Sequence, residues 1–541
     1  MQSRNTSKYI SILLLFISVN MVVVAQSQLK KRDLNAITDQ INLEKFEEAS
    51  KNIKSLMISH PDEPILNLQM GLCLLNMDYK TDDAIPFLEK AKESYSLEKR
   101  RNQRAIEARY YLAQAYHLNH RFDEALAELI ALKDNIPPKQ KDLLKEIERE
   151  TAYNQNAILL KSNPVNFRIS NLGQAINSEH DEHSPLISAD ETILIFTSNR
   201  QGTGSLKTYD DQYYEDIHQS IWREGKWLPA LNIGQKINTS GNDATCSLSA
   251  DGQTMIVYRN DGISGDLYYS SLSDEGWTEP VKFPKPINTD YNETHGSFSY
   301  NGNTLVFASD RPGGFGGKDL YMVKKLPDGT WGKIMNLGPT INTIEDEDSP
   351  FLSHDETTLY FASMGHMSMG GYDIFSTKRL NQTEQKWSEP KNIGYPINTP
   401  GDDLFYSPTI DGQRVYYASE RPGGLGRSDI WLIEYPETHE KAMAVVGGFI
   451  FTEDGLPSYE SLVTVTKKDT GEEMGEYRPH PQTGKYIMIL PTGVEFTMTV
   501  RTFGKTTVEK NFSLKGRQDF STRGNASYLD PIVVEDIKQA Q

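Results

Sequence analysis

Two hydrophobic periods divide the chain. Over residues 28–160 the apolar positions recur at helical spacing and glycine is scarce, whereas from 164 onward they alternate in short runs punctuated by Gly, Asn and Asp. In Ile106–Pro137, Leu112, Ala113 and Tyr116 fall on one face of a predicted helix. Phe122, Ala125 and Leu129 fall on one face of the next, which Pro137 ends. Two less regular copies precede this pair, one ending with Phe46, Ala49 and Pro61, the other carrying Met70, Gly71, Ala84 and Ala91. A further helix is predicted over Lys139–Leu160, capping the array.

Within 164–436 one β unit occurs five times. Its hairpin turns are Ala189-Asp190-Glu191, Ala250-Asp251-Gly252, Tyr300-Asn301-Gly302, His354-Asp355-Glu356 and Ile410-Asp411-Gly412. A second strand follows each turn, and a third begins at Asp216, Asp266, Asp319, Asp373 or Asp429. Trp227, Trp277, Trp331 and Trp387 each start a predicted fourth strand, which runs into an Asn-(Leu/Ile)-Gly and then an Ile-Asn pair, as in Asn232, Gly234, Ile237 and Asn238; the second unit keeps only Ile287 and Asn288. The last unit has no Trp-led fourth strand, yet an orphan Asn171-Leu172-Gly173 with Ile176-Asn177 precedes the first. Four strands at a spacing of about 50 to 60 residues are the signature of a β-propeller. The reading is a five-bladed ring whose last blade takes its outer strand from residues 166–171, leaving few open edges. Over 443–535, short runs separated by Asp454-Gly455, Thr470-Gly471, Thr483-Gly484 and Thr492-Gly493 predict a small β-sandwich.

These motifs carry three resemblances. The helical pairs, with small residues where two helices meet, resemble tetratricopeptide repeats, a solenoid that serves either as a groove for a peptide or a partner helix or as a spacer packed on the propeller. The five-fold unit resembles the TolB-type propeller repeat, which implies a binding platform. The C-terminal motifs resemble the carboxypeptidase regulatory-like domain, which implies a module without catalytic residues. The expected fold class is therefore multidomain α and β: an α-solenoid at 28–160, a propeller at 164–436 and a sandwich at 443–535. This order resembles envelope proteins of the Bacteroidetes, one group of which serves type IX secretion and gliding. Their fuller members end in an OmpA-like peptidoglycan-binding domain. This sequence stops at Gln541, where that domain would begin, so no peptidoglycan-binding residue is carried over.

Charge and leader narrow the compartment. A formal charge of −18 argues against a nucleic-acid partner, which demands a clustered basic face. Met1–Ala25 reads as a secretory signal, with Arg4 and Lys8 ahead of an apolar run over Ile10–Val24 and a cleavage site before Gln26. The run is interrupted by Ser11, Ser18 and Asn20, short of the about 20 apolar residues of a span. No Cys lies near the cleavage point, so the expectation is a periplasmic protein, associated with the outer membrane at most by contact and not a lipoprotein. Cys73 and Cys246, the only cysteines, read as one core thiol in each of two domains.

Candidate chemistry gathers on one face of the propeller. Acidic linkers enter each unit, and Arg200, Arg259, Arg311 and Arg421 follow the second strands. Asp181, Asp243, Glu293, Asp346 and Asp402 are expected to form ion pairs with these arginines between neighbouring blades. The expected interface on the same rim comprises Arg200, Tyr213, Tyr214, Arg311, Phe315, Met367, Arg421 and Leu425, with Met364 and Met369 also in Gly-rich loops. The long loop Thr208–Glu215 adds Tyr209. No catalytic, cofactor or metal residues are assigned. His180 and His183 flank two acids without a matching ligand cluster. The Asp-rich turns lack EF-hand spacing. Gly313–Gly317 opens onto a strand rather than a helix, and no Gly-x-Ser-x-Gly elbow occurs. The reading is a non-enzymatic adaptor for envelope proteins. The alternative is a glycan-binding or glycan-cleaving propeller, since carboxylates abound.

Overall fold

A computed structural model describes residues 29–536, apart from 78–79, 98–101, 204–206, 209–211, 250, 261–263, 300–301, 354–355, 382–385, 411, 436–442 and 517–526. The leader, Tyr209 and several hairpin-turn residues, among them Asn301, Asp355 and Asp411, lie outside that set.

Seven helices come first among the described residues: α1 (Lys31–Asn42), α2 (Phe46–Met57), α3 (Pro64–Leu75), α4 (Thr81–Ser94), α5 (Gln103–Leu118), α6 (Phe122–Lys133) and α7 (Lys141–Ser162). Each packs on the next. Pro64 opens α3 at a position where its missing N–H has no helical partner to lose. α3 and α5 are buried around most of their circumference, which marks them as the inner helices. Gly71 of α3 faces Leu88 of α4 so closely that a Cβ would overlap the leucine side chain. Small residues at this spacing thus bring two helices together.

Five antiparallel sheets follow. Their innermost strands are Glu182–Ile187, Asn242–Leu248, Glu293–Phe298, Glu347–Leu352 and Asp403–Pro408. Each innermost strand contacts the next, and the fifth contacts the first, so the sheets form a closed, propeller-like ring. The outer strand of the fifth sheet comes from before the first. Arg168–Asn171 pairs antiparallel with Asp429–Glu434, with Arg168 opposite Glu434 and Asn171 opposite Trp431. The outer strands of the other sheets differ from the continuous runs expected. In the first, second and fourth sheets they are two short pieces, such as Lys226–Trp227 and Leu231–Asn232. Pro229, Pro280 and Pro390 lie between the pieces, where a missing N–H interrupts the ladder. In the third, Trp331 makes one bridge to Lys325 and only Met335–Asn336 forms strand.

Two four-stranded sheets complete the chain and pack face to face around Val446, Val463, Val465, Met488, Phe496 and Met498. Met443–Thr452 pairs antiparallel with Lys485–Pro491 and parallel with Ile532–Val534.

Helices and sandwich dock on opposite ends of the ring. The Tyr153 hydroxyl of α7 donates to the Met364 carbonyl at 2.7 Å, and the Asn156 amide donates to the Ser368 carbonyl at 2.8 Å. Met369 is buried against Phe122 and Ala157. Met364 and Met369 therefore leave the exposed rim expected of them, because α7 covers their loop. At the other end, Lys485 pairs with Asp190 in the hairpin turn of the first sheet. The Gln253 amide donates to the Arg478 carbonyl at 2.6 Å, and the Gln482 amide to the Asp274 carbonyl at 2.8 Å.

Candidate binding cleft at the channel mouth

The rim is built from one polar network repeated around the ring. The carboxylates of Glu182, Asp243, Glu293, Glu347 and Asp403 open the five innermost strands and are fully buried. Each accepts from the N–H and hydroxyl of the Ser or Thr four residues earlier, as Glu293 does from Thr289 at 2.8 Å twice. In four sheets an arginine completes the site: Arg200 to Glu182 at 2.8 Å, Arg259 to Asp243 at 2.7 Å, Arg311 to Glu293 at 2.9 Å and Arg421 to Asp403 at 3.6 Å. Each guanidinium also donates to the carbonyl of the Ile in the Ile-Asn pair. The fourth sheet has His366 instead, whose Nε2 meets the Ile341 carbonyl at 2.8 Å. Burial pushes Glu347 up to about 7 there, and Asp403 up to about 6 even with Arg421 beside it.

These pairs lie within a sheet, not between sheets; two of the four, at Glu182 and Asp403, use the residue after the one expected, and in the fourth sheet the buried acid is Glu347 instead of Asp346. Asp181, Asp346 and Asp402 do a different task, shared with Asn242 and Asn292. Each accepts the N–H that precedes the third strand of the neighbouring sheet: Asp181 from Ser428 (3.3 Å), Asn242 from Glu215 (2.9 Å), Asn292 from Gly265 (2.9 Å), Asp346 from Lys318 (3.0 Å) and Asp402 from Tyr372 (2.8 Å). Five side-chain staples therefore join five sheets. Successive residues of an extended chain point to opposite sides, so one acid enters its own sheet and its neighbour reaches the next.

The Ile-Asn pairs are absorbed in the same way. Asn238 accepts from the Ile217 N–H at 2.8 Å and donates to the Ile217 carbonyl at 2.9 Å, imitating a strand partner. Asn177, Asn342 and Asn398 do so on Ile430, Leu320 and Ile374.

What remains for a partner is the opening that these networks frame. A recess of about 150 Å³ at the channel mouth is lined by Asp181, His183, Glu215, Lys318, Asp348, Asp402, Glu420 and Arg427, among others. Lys318 meets Asp348 and lies 4.0 Å from Asp346. Burial alone would raise the Asp348 carboxyl, but Lys318 outweighs it and holds the group below the usual carboxylate range. Burial pushes Glu420 up to about 7; Arg427, at 3.0 Å, opposes this, and Asp402 and Asp181 add to it. A second cleft of about 380 Å³ opens beside the recess. Asn76, Met77, Thr81 and Asp82 with Leu118–His120 form its helical wall, and Pro400–Asp402 with Glu420, Pro422 and Gly423 form the wall on the ring. Asp402, Glu420 and Arg427 line both, so the recess and cleft adjoin.

The residues expected at an interface divide. Arg200, Arg311 and Arg421 are held in the buried networks and are not presented to solvent as expected. Phe315, Met367 and Leu425 are exposed by 48%, 47% and 40% at the tips of their loops. Their loops are folded back on an aspartate; Phe315 and Leu425 donate their N–H groups to Asp319 and Asp429 at 2.8 and 2.6 Å. Tyr213 and Tyr214 are half-buried; Lys207 lies 4.9 Å over the Tyr213 ring, and His180 meets its edge. His183 is drawn to Glu215 at 3.2 Å and stacks on Phe405. Among the described residues no group of three or more His, Cys, Asp or Glu could hold a metal ion. The helical wall of the cleft was not visible in the sequence, since Met77 and His120 follow the ends of two different helices and Asp82 lies in the first turn of α4, with no shared motif.

No family model matches the chain, and no curated protein does. Similar solved structures include TolB from Acinetobacter baumannii, at 15% identity over 54% of this chain and 71% of that one, TM-score 0.31. A putative TolB from Agrobacterium tumefaciens is similar at 14% identity over 60% of this chain and 99% of that one, TM-score 0.31. An alpha-L-arabinofuranosidase from Lactobacillus brevis is similar at 12% identity over 52% and 94%, TM-score 0.33. Among the described residues no helix is long and apolar enough to cross a membrane.

Proposed function

We propose that this chain is a non-enzymatic, exported scaffold of the cell envelope. In this reading the helices are a tetratricopeptide-like array, the ring is a five-bladed TolB-type propeller, and the protein partners belong to a periplasmic complex of the secretion or gliding kind. The observation that carries it is the 380 Å³ cleft walled jointly by helices and ring and adjoining the acidic mouth. Two rigid elements that share one opening suit an extended polypeptide segment, and the acids at its floor favour a basic one. The test is site-directed photocrosslinking in native envelopes. A photoreactive residue at Thr81 or Gly423 in the cleft gives a discrete adduct with an envelope protein, and one at Ile58, 86% exposed and away from it, does not. A chain that stays uncrosslinked and monomeric from both cleft positions would refute the scaffold.

One observation favours a second reading, a glycan-cleaving propeller. Glu420, which burial pushes upward against the pull of Arg427, lines the cleft together with Asp402, and two carboxyl groups in one cleft are the equipment of a glycosidase. Turnover of a polysaccharide panel that vanishes in Glu420→Gln would decide for the enzyme.

A further inference from the structure

The gaps between neighbouring sheets are filled unequally. Trp222, Trp227 and Tyr416 pack between the fifth and first sheets, and Phe283, Phe298 and Trp331 between the second and third. Phe361, Phe375 and Trp387 fill the next gap, and Tyr360, Tyr406 and Trp431 the one after. Between the first and second sheets the buried core is Leu186, Ile195, Ile217, Ile237, Met255 and Val257, with no aromatic ring among them. Trp277 is half-buried there, as its counterpart Trp331 is in the next gap, whereas Trp227 and Trp387 are buried.

The unfilled volume is a cavity of about 520 Å³, opening on the end of the ring where the sandwich docks. Ile193, Ile221, Leu248 and Trp277 line its ring side, and Thr483 and Ile487 of the sandwich close the other. Protein interiors tolerate few voids larger than a water molecule, and sites for small organic ligands span roughly 300–1,000 Å³. At the entrance Lys485 pairs with Asp190 and Lys236 with Glu275 at 3.5 Å, while Asp251 accepts from the Ser249 hydroxyl and the Gln253 N–H of its own turn. The polar contacts of Gln253 and Gln482 hold the sandwich at the edge of the gap instead of letting it sink in. The buried part of an occupant is therefore uncharged and apolar, and branched aliphatic walls match a flexible alkyl chain.

We infer that this cavity binds one long acyl chain, with the polar head left at the entrance near Lys236 and Gln482. This rests on packing at the sandwich end of the ring and is independent of the cleft at the other end. Trp277 is a built-in reporter, because a brominated chain quenches an indole it touches. The full mature chain is titrated with 9,10-dibromostearate, and separately with lysophosphatidylcholine carrying the same chain, both below their critical micelle concentrations. Saturable quenching at one chain per protein is expected in one arm or both, and the arm that responds tells free acid from lipid. Trp277→Phe removes that quenching. Ile221→Arg, at a position 46% exposed and so tolerant of a charge, weakens it by about tenfold or more while the thermal midpoint holds. Absence of saturable quenching in both arms, or quenching that survives both substitutions unchanged, overturns the assignment.

Discussion

At the scale of single residues, the rim separates two jobs that adjacent acids perform. Arg259→Ala leaves the fully buried Asp243 carboxylate without its cation, and the expected cost is about 3–5 kcal/mol. Asp402→Asn keeps the oxygen that accepts from Tyr372, as Asn242 and Asn292 already do for their neighbours, and is expected within about 0.5 kcal/mol of the parent. Urea denaturation of both variants checks the contrast. The residue types of this network were plain in the sequence. Its register was not, since Asp181-Glu182 and Asp402-Asp403 offer two acids side by side and only the direction of each Cβ decides which meets the arginine. The replacement of arginine by His366 in the fourth sheet was equally hidden, because the loop there shifts the spacing from Ser363 by one residue as well as changing the chemistry.

At the scale of elements, helical periodicity and turn punctuation located nearly every helix and strand, while the broken outer strands required weighing Pro229, Pro280 and Pro390 against the tryptophans before them. Close approach between sheets is set by glycine. A Cβ on Gly426 would strike the carbonyl of His180, and one on Gly316 the carbonyl of Glu345, both backbone atoms of the following sheet. Gly426→Ala is expected to cost about 1–3 kcal/mol, read as a lowered thermal midpoint, since neither side of that contact can swing away. The helical part has its own pH signature. His117 of α5 is buried against Asn154 of α7, and burial lowers it to about 4 from an ordinary 6.5. The unfolded chain takes up this proton first, so the stability tied to a neutral His117 is intact above 6.5 and is lost as pH falls from 6.5 to 4. The difference amounts to about 3 kcal/mol. His117→Gln is therefore expected to lose less stability than the parent across that interval, measured by denaturant midpoints at successive pH values.

At the scale of the whole molecule, a ring of five sheets closes where its ends meet, and two of the connections there stand apart from the repeated rim network. One is the strand Arg168–Asn171 on Asp429–Glu434. The other is Arg414, which grips Glu191 with two hydrogen bonds of 2.7 and 2.6 Å, both side chains buried. A fragment spanning 164–436 keeps both and is expected to elute as a compact monomer. One beginning at residue 172 loses the strand, exposes the edge of the fifth sheet and is expected to aggregate, which size-exclusion chromatography with light scattering distinguishes.

The shared fifth sheet also dictates an order of events while the chain is being made. Arg168–Asn171 emerges from the ribosome before any other strand, yet its partner Asp429–Glu434 is synthesised more than two hundred residues later. Until then four sheets form with nothing to shut them, and the earliest strand has no lawful neighbour. A nascent chain halted short of Asp429 should thus be cut readily by protease near residue 168, and one released a few dozen residues beyond should resist.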